Sequence, residues 1–158
     1  MAKILVVYYS RSGNTRIMAE MVAQGTKNEG AEVDLKEVAR VKPEELLNYD
    51  GIIIGSPTYY GTLAWEVKKL LDESVKFHGK LEGKVGGAFS SAANIGGGNE
   101  TTILSILEAM LIHGMVIQGA YSGDHYGPVA INEPDARAKK QCLALGGRIA
   151  RLAGKLVA

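Results

Sequence analysis

Cysteine is nearly missing from this sequence. Cys142 stands alone among 158 residues, which excludes an intramolecular disulfide and any metal site assembled from several thiolates. The apolar start at residues 4–7 runs at once into Ser10, Arg11 and Ser12, too short for a secretory core, so the expected compartment is the cytoplasm. Long apolar runs are missing as well, and nothing approaches the roughly 20 residues of a membrane span. Neither sign of charge dominates. Eighteen Lys and Arg face seventeen Asp and Glu, with no basic stripe or tail, so nucleic acid is not an expected partner. Two nucleotide fingerprints are also lacking: no Gly-Lys-Ser/Thr triplet occurs, and the first loop holds one glycine where a dinucleotide fold needs three. A phospho-receiver domain needs acids after its first strand, where this chain has Tyr8, Tyr9 and Ser10.

What is present is a chain with 46% hydrophobic residues, enough for one domain over residues 1–158 with a sheet between two helical layers. Short β-branched runs alternate with amphipathic segments, the pattern of a parallel sheet with crossover helices. Strands are expected at 3–9, 31–38, 51–55, 84–91 and 115–120, and helices at 15–28, 63–74, 100–112 and 134–156. A short turn around Pro43 is expected between the second and third strands, and the five strands with their crossovers fit an α/β doubly wound parallel sheet of order 2-1-3-4-5, helices on both faces, with the ligand at the strands' carboxyl ends.

The loops at those ends carry the chemistry. Ser10, Arg11, Ser12, Gly13, Asn14 and Thr15 follow the first strand and open a helix. Amides converging at a helix start, with hydroxyls beside them, suit a phosphate; a plain helix cap uses the same residue types. Pro57, Thr58, Tyr59, Tyr60 and Gly61 follow the third strand and offer flat aromatic surface to a planar ring; without the first loop, tyrosines capping the core would be the simpler reading. Ser91, Ala92, Ala93, Asn94 and Gly96 follow the fourth strand in an uncharged glycine-rich stretch whose backbone can approach a ligand closely.

On these residues the sequence resembles the flavodoxin superfamily, and within it the WrbA-type NAD(P)H:quinone oxidoreductases. The resemblance rests on Gly-Ser-Pro-Thr followed by an aromatic and Gly (residues 55–61), Ser-Ser with Gly-Gly-Gly-Asn-Glu (90–100), and His-Gly-Met (113–115). It implies a flavodoxin-like fold, FMN as cofactor with its phosphate on the first loop and its ring and ribityl on the other two, and NAD(P)H and a small quinone-like acceptor as partners. It also implies a homodimer or homotetramer. The family often has two histidines before Gly-Met; here Ile112 fills the first place and His113 the second. The family's insertion near the third strand is missing, and its flavin-covering Trp has no clear counterpart. His113, His125 and Tyr126 are the candidates for a substrate pocket.

An electron carrier of low potential places acids near the flavin, yet residues 58–62 and 90–99 contain none, leaving Asp124 as the nearby acid. The sequence therefore reads as a flavin reductase passing two electrons from NAD(P)H to a quinone, with no catalytic side chain. A flavodoxin-type carrier and a flavin-free interaction module are the alternatives. Trp65 is expected in core or interface packing, Cys142 as an inert buried thiol.

Overall fold

The first strand decides the layers. In the computed structural model, which describes residues 1–158, β1 (Lys3–Tyr8) sends Ile4 and Val6 into one apolar core and Leu5 and Val7 into another. This is the period of two that a strand covered on both faces requires. The first core lies under α1 (Asn14–Asn28) and α4 (Ala136–Leu156), the second under α2 (Trp65–Glu73) and α3 (Asn99–Ile112). Fully burying each of these Ile, Leu and Val side chains stabilises the fold by about 1.5–3 kcal/mol. No helix is long and apolar enough to cross a membrane.

The sheet runs β2 (Glu32–Glu37), β1, β3 (Gly51–Tyr59), β5 (Val85–Ala92), β6 (Val116–Ile117), all parallel, with β7 (Val129–Ile131) also parallel on β5 and the short β4 (Thr62–Leu63) folded back on β3. β6 pairs with Val85 and Gly86, and β7 with Ser90 to Ala92. They are two pieces of one edge position, so the expected order 2-1-3-4-5 holds.

Three expectations change. The third strand does not end at Gly55. It continues to Tyr59 because Thr62 and Leu63 return antiparallel and pair with Tyr59 and Thr58. The crossover from β2 to β3, expected as a short turn around Pro43, is two 3-10 segments, Val38–Arg40 and Pro43–Asn48, where Pro43 starts the second and Leu46 is its buried anchor. The fifth strand breaks after Ile117. Gln118, Gly119 and Ala120 bring no large apolar group to the core, and the chain leaves the sheet until Val129, Ala130 and Ile131 resume the edge. The excursion is tied down where it returns. The Asp124 carboxylate accepts from the Val129 amide at 2.9 Å and pairs with Arg137 at 2.8 Å, and Arg137 also donates to the Val129 carbonyl.

α1 and α4 pack backbone to backbone. A Cβ on Gly25 would fall 2.1 Å from the Leu143 carbonyl oxygen, and one on Gly146 would fall 2.0 Å from that of Val22. Gly154, in the same helix, has nothing within 4 Å. Gly146→Ala should therefore destabilise by about 1–3 kcal/mol through overpacking, although alanine is the better helix former by about 1 kcal/mol. Gly154→Ala should be neutral or stabilising by up to about 1 kcal/mol. Urea denaturation of the two variants checks the pair, and equal effects would contradict the close crossing.

Candidate functional site

The loop between β1 and α1 is held open from within. The Gly13 amide donates to Ser10 Oγ at 3.1 Å, and Gly13 sits at φ +100°, with nothing within 4 Å of the place a Cβ would take. The amides of Ser12, Asn14, Thr15 and Arg16 then meet no acceptor in the protein. They are the orphan donors every helix start leaves, and no side chain caps them, so the plain-cap reading fails. Beside them Thr15 Oγ1 and Ser91 Oγ lie 2.9 Å apart, both residues buried. Whichever hydroxyl donates, the pair keeps one proton to offer outward.

These groups face a cleft of about 510 Å³ whose walls include Arg11, Ser12, Asn14, Thr15, Pro57, Thr58, Tyr59, Ser91, Ala92 and Ala93. Three of them, Thr58, Ala92 and Ala93, also line a second, shallower cleft of about 270 Å³ with Tyr60, Gly61, Asn94 and Gly97. The two adjoin at these residues, and together they have the size of a mononucleotide pocket. Every side chain of the second cleft is neutral.

The tyrosines part company. Tyr59 ends β3 and meets Tyr9 edge to face, ring centroids 6.3 Å apart. Tyr60 and Gly61 form the two-residue turn into β4 with φ +47° and +82°, the pair of positive φ values that a type I′ hairpin demands. A tyrosine is strained there. Its ring is fully exposed at the mouth of the second cleft.

The third loop crosses the second at glycine. A Cβ on Gly98 would come within 2.7 Å of Gly61 Cα, and Thr101 Oγ1 donates to the Gly61 carbonyl. Behind this crossing Asn99 Oδ1 lies 3.3 Å from Thr58 Oγ1 and 3.1 Å from Ser90 Oγ, joining the two strand ends. Asn99 escaped the sequence reading, as did Asn132. The latter sits just past β7 at φ +57°, lines the larger cleft, and donates from its amide to Ala92 O at 2.8 Å. The signal existed: an asparagine closing a short β-branched run is a common left-handed residue. It went unseen because the end of the edge strand was expected at residue 120.

Three substrate-pocket candidates are not brought to these clefts within the chain. α3 starts at the clefts and spans 14 residues, about 20 Å, which carries His113 to the opposite end of the sheet. There it is 7% exposed and its Nε2 lies 2.7 Å from Ser74 Oγ. His125 and Tyr126 ride the excursion between β6 and β7, His125 with Nδ1 2.8 Å from the Ala120 carbonyl. Asp124 is engaged by Arg137 and Val129. Trp65 is not core, being 68% exposed. Cys142 is fully buried, and burial pushes its thiol up to about 12, as an inert packed thiol requires.

The family model for the flavodoxin domain matches residues 5–93. The chain belongs to the flavodoxin family. A flavodoxin of Aquifex aeolicus is 41% identical across 95% of this chain and 86% of its own length. An NAD(P)H dehydrogenase (quinone) of Rhizobium rhizogenes is 35% identical over the whole of both chains. Among solved structures, a WrbA-like flavodoxin from Agrobacterium tumefaciens superposes with a TM-score of 0.81 at 29% identity, covering 98% of this chain and 99% of that one. FMN is the cofactor of this flavodoxin-family chain, and the orphan amides with the Thr15 and Ser91 hydroxyls fit its phosphate.

His113 has a consequence of its own. Ser74 Oγ gives its only proton to the Leu71 carbonyl at 2.6 Å, so it accepts from His113 Nε2–H. Nδ1 is then a bare, buried acceptor without a partner. Burial, and secondarily His78, hold the imidazole below its ordinary value. The unfolded chain thus takes up this proton at higher pH than the folded one, and stability falls as pH drops below about 6.5. His113→Gln should flatten that loss, which thermal melts from about pH 7.5 to about 5 would show; an unchanged slope would contradict it.

Proposed function

We propose that residues 1–158 form one FMN-binding domain that passes two electrons from NAD(P)H to a quinone or similar small acceptor. The observation that carries this reading is the set of unpaired amides at the head of α1, opening into a cleft that adjoins the neutral one beside exposed Tyr60. In this reading Ser10 to Thr15 hold the phosphate. Pro57 to Gly61 and Ser91 to Asn94, with Gly96, flank the ribityl and the ring. FMN held by these residues would supply the two-electron redox chemistry between NAD(P)H and the quinone.

The residues bind and orient. Orphan amides and the helix dipole stabilise the phosphate dianion, and the spare hydroxyl proton of the Thr15–Ser91 pair adds a charge-assisted bond. Neutral lining favours a site that donor and acceptor occupy in turn. NAD(P)H dehydrogenase (quinone) relatives at 35–40% identity support this reading. A second reading, an electron carrier, is favoured by two flavodoxins, 41% and 38% identical, each aligned over nearly the length of this chain. The proposed setting is the cytoplasm, as a homodimer or homotetramer; exposed Leu111, Ile112 and Val75 support assembly.

Two measurements test the proposal. Stopped-flow mixing of the FMN-loaded protein with NADH or NADPH should bleach the flavin, and p-benzoquinone should restore its colour. Failure of both nucleotides, with reduction by a one-electron donor intact, would leave the carrier reading. Thr15→Val should weaken FMN binding about tenfold, the equivalent of one charge-assisted hydrogen bond, as followed by flavin fluorescence. No FMN binding to the unaltered protein would revive the flavin-free module.

A further inference from the structure

The break in the edge strand opens a cleft that the flavin chemistry does not use. It lies between the excursion and the last turns of α4, has a volume of about 430 Å³, and is walled by Tyr121 and Ser122 on one side and by Arg148, Arg151 and Lys155 on the other. The three cations fall at i, i+3 and i+7, one stripe of the helix. Arg151 pairs with Glu29. Arg148 has no carboxylate partner and makes a single bond, Nε to the Gln118 carbonyl at 3.3 Å.

Arg148 is the anomaly. A half-buried guanidinium has lost part of its hydration, and burial together with Arg151 pushes it down from its ordinary range. Such a group costs free energy unless an anion offsets it. The facing loop supplies what an anion accepts: the amides of Tyr121 and Ser122 have no acceptor, and the Ser122 hydroxyl makes no hydrogen bond within the protein. At the rim the Tyr121 ring is completely exposed, a flat apolar surface beside the charge.

We propose that this cleft binds a phosphate-bearing nucleotide, the phosphate between Arg148 and the Tyr121 and Ser122 amides and the base on Tyr121. Planar bidentate donors match phosphate oxygens, and an aromatic face takes any base. The cleft's volume of about 430 Å³ is that of a small-molecule site. The site is separate from the FMN clefts. β6 leaves the sheet at the level of Gly86, six residues before Ala92 on β5, about 20 Å along the strand. The inference therefore stands without the proposed oxidoreductase activity.

The test uses the full chain saturated with FMN, so that the phosphate loop of α1 is filled. Calorimetric titration with ADP should give one site, weakened about tenfold in Arg148→Gln and severalfold in Tyr121→Ala, while flavin fluorescence stays unchanged. Tyr121 is fully exposed, so that variant folds as the parent does. Any one of these results would overturn the proposal: no heat up to millimolar ADP, binding indifferent to both substitutions, release of FMN by ADP, or inorganic phosphate binding as tightly as ADP. Tighter binding of a polyglutamate peptide than of ADP would overturn it in favour of an acidic protein partner.

Discussion

Four amides left bare at the head of α1 are the constraint around which this molecule is arranged. A helix start cannot pair its own first N–H groups, and most proteins spend a Ser, Thr or Asp side chain on them. Here Ser10 spends its oxygen on Gly13 instead, which shapes the turn and leaves the other donors pointing into open space. The arrangement is tolerable because β1 is pinned by apolar side chains on both faces and delivers the turn to a fixed place at the sheet's carboxyl edge. An anion bound there lowers the free energy of the folded state by mass action, so cofactor affinity and fold stability are linked through the same few atoms.

The ring cleft depends on a second constraint, the crossing of two loops at a point where Gly98 has no room for a Cβ. Gly98 meets Gly61, and Gly61 is half of the turn that holds Tyr60 in a left-handed conformation. A strained, fully exposed tyrosine is a poor solution for stability alone. It persists because the β3–β4 ladder and the hydroxyl network through Thr58, Thr102 and Asn99 fix the backbone on both sides. The strain is carried by packed elements and the aromatic face is delivered to the cleft, the pattern expected where geometry serves binding.

Much of this was legible from the residues. Long β-branched runs such as 51–54 announce buried central strands, and the run from Ser10 to Thr15 announces an anion site because hydroxyls, glycine and a helix start coincide. Harder to read were features set by pairing partners distant in sequence. Pro57 to Tyr59 look like loop until Thr62 and Leu63 fold back on them, and no local pattern reveals that return. Val116 and Ile117 share one edge position with Val129 to Ile131, although eleven residues, 118–128, separate them. That hidden continuity misplaced Asn132, Asp124, His125 and Tyr126 together. His113 was misread for a related reason: its motif neighbours a loop in sequence, while α3 carries it the full height of the sheet.

Charge placement bears on what the flavin is for. A carboxylate about 4 Å from the ring would disfavour added electrons by about 1–4 kcal/mol, depending on the local dielectric. The cleft beside Tyr60 is lined by neutral side chains alone, and Asp124, the acid expected nearby, sits on the edge excursion and is paired with Arg137 of α4. Glu37 and Glu66 do come to this end of the sheet, but they line a pocket with Tyr9 and Trp65, and the Tyr9–Tyr59 contact stands between that pocket and the larger cleft. Burial, then the Glu66 carboxylate, raises the Tyr9 phenol, so its acidic influence is felt on the far side of an aromatic wall. The fold thus holds its acids away from the surface where an uncharged quinone and the nicotinamide of NAD(P)H would each have to lie flat, and that separation is what a reductase of small neutral acceptors requires.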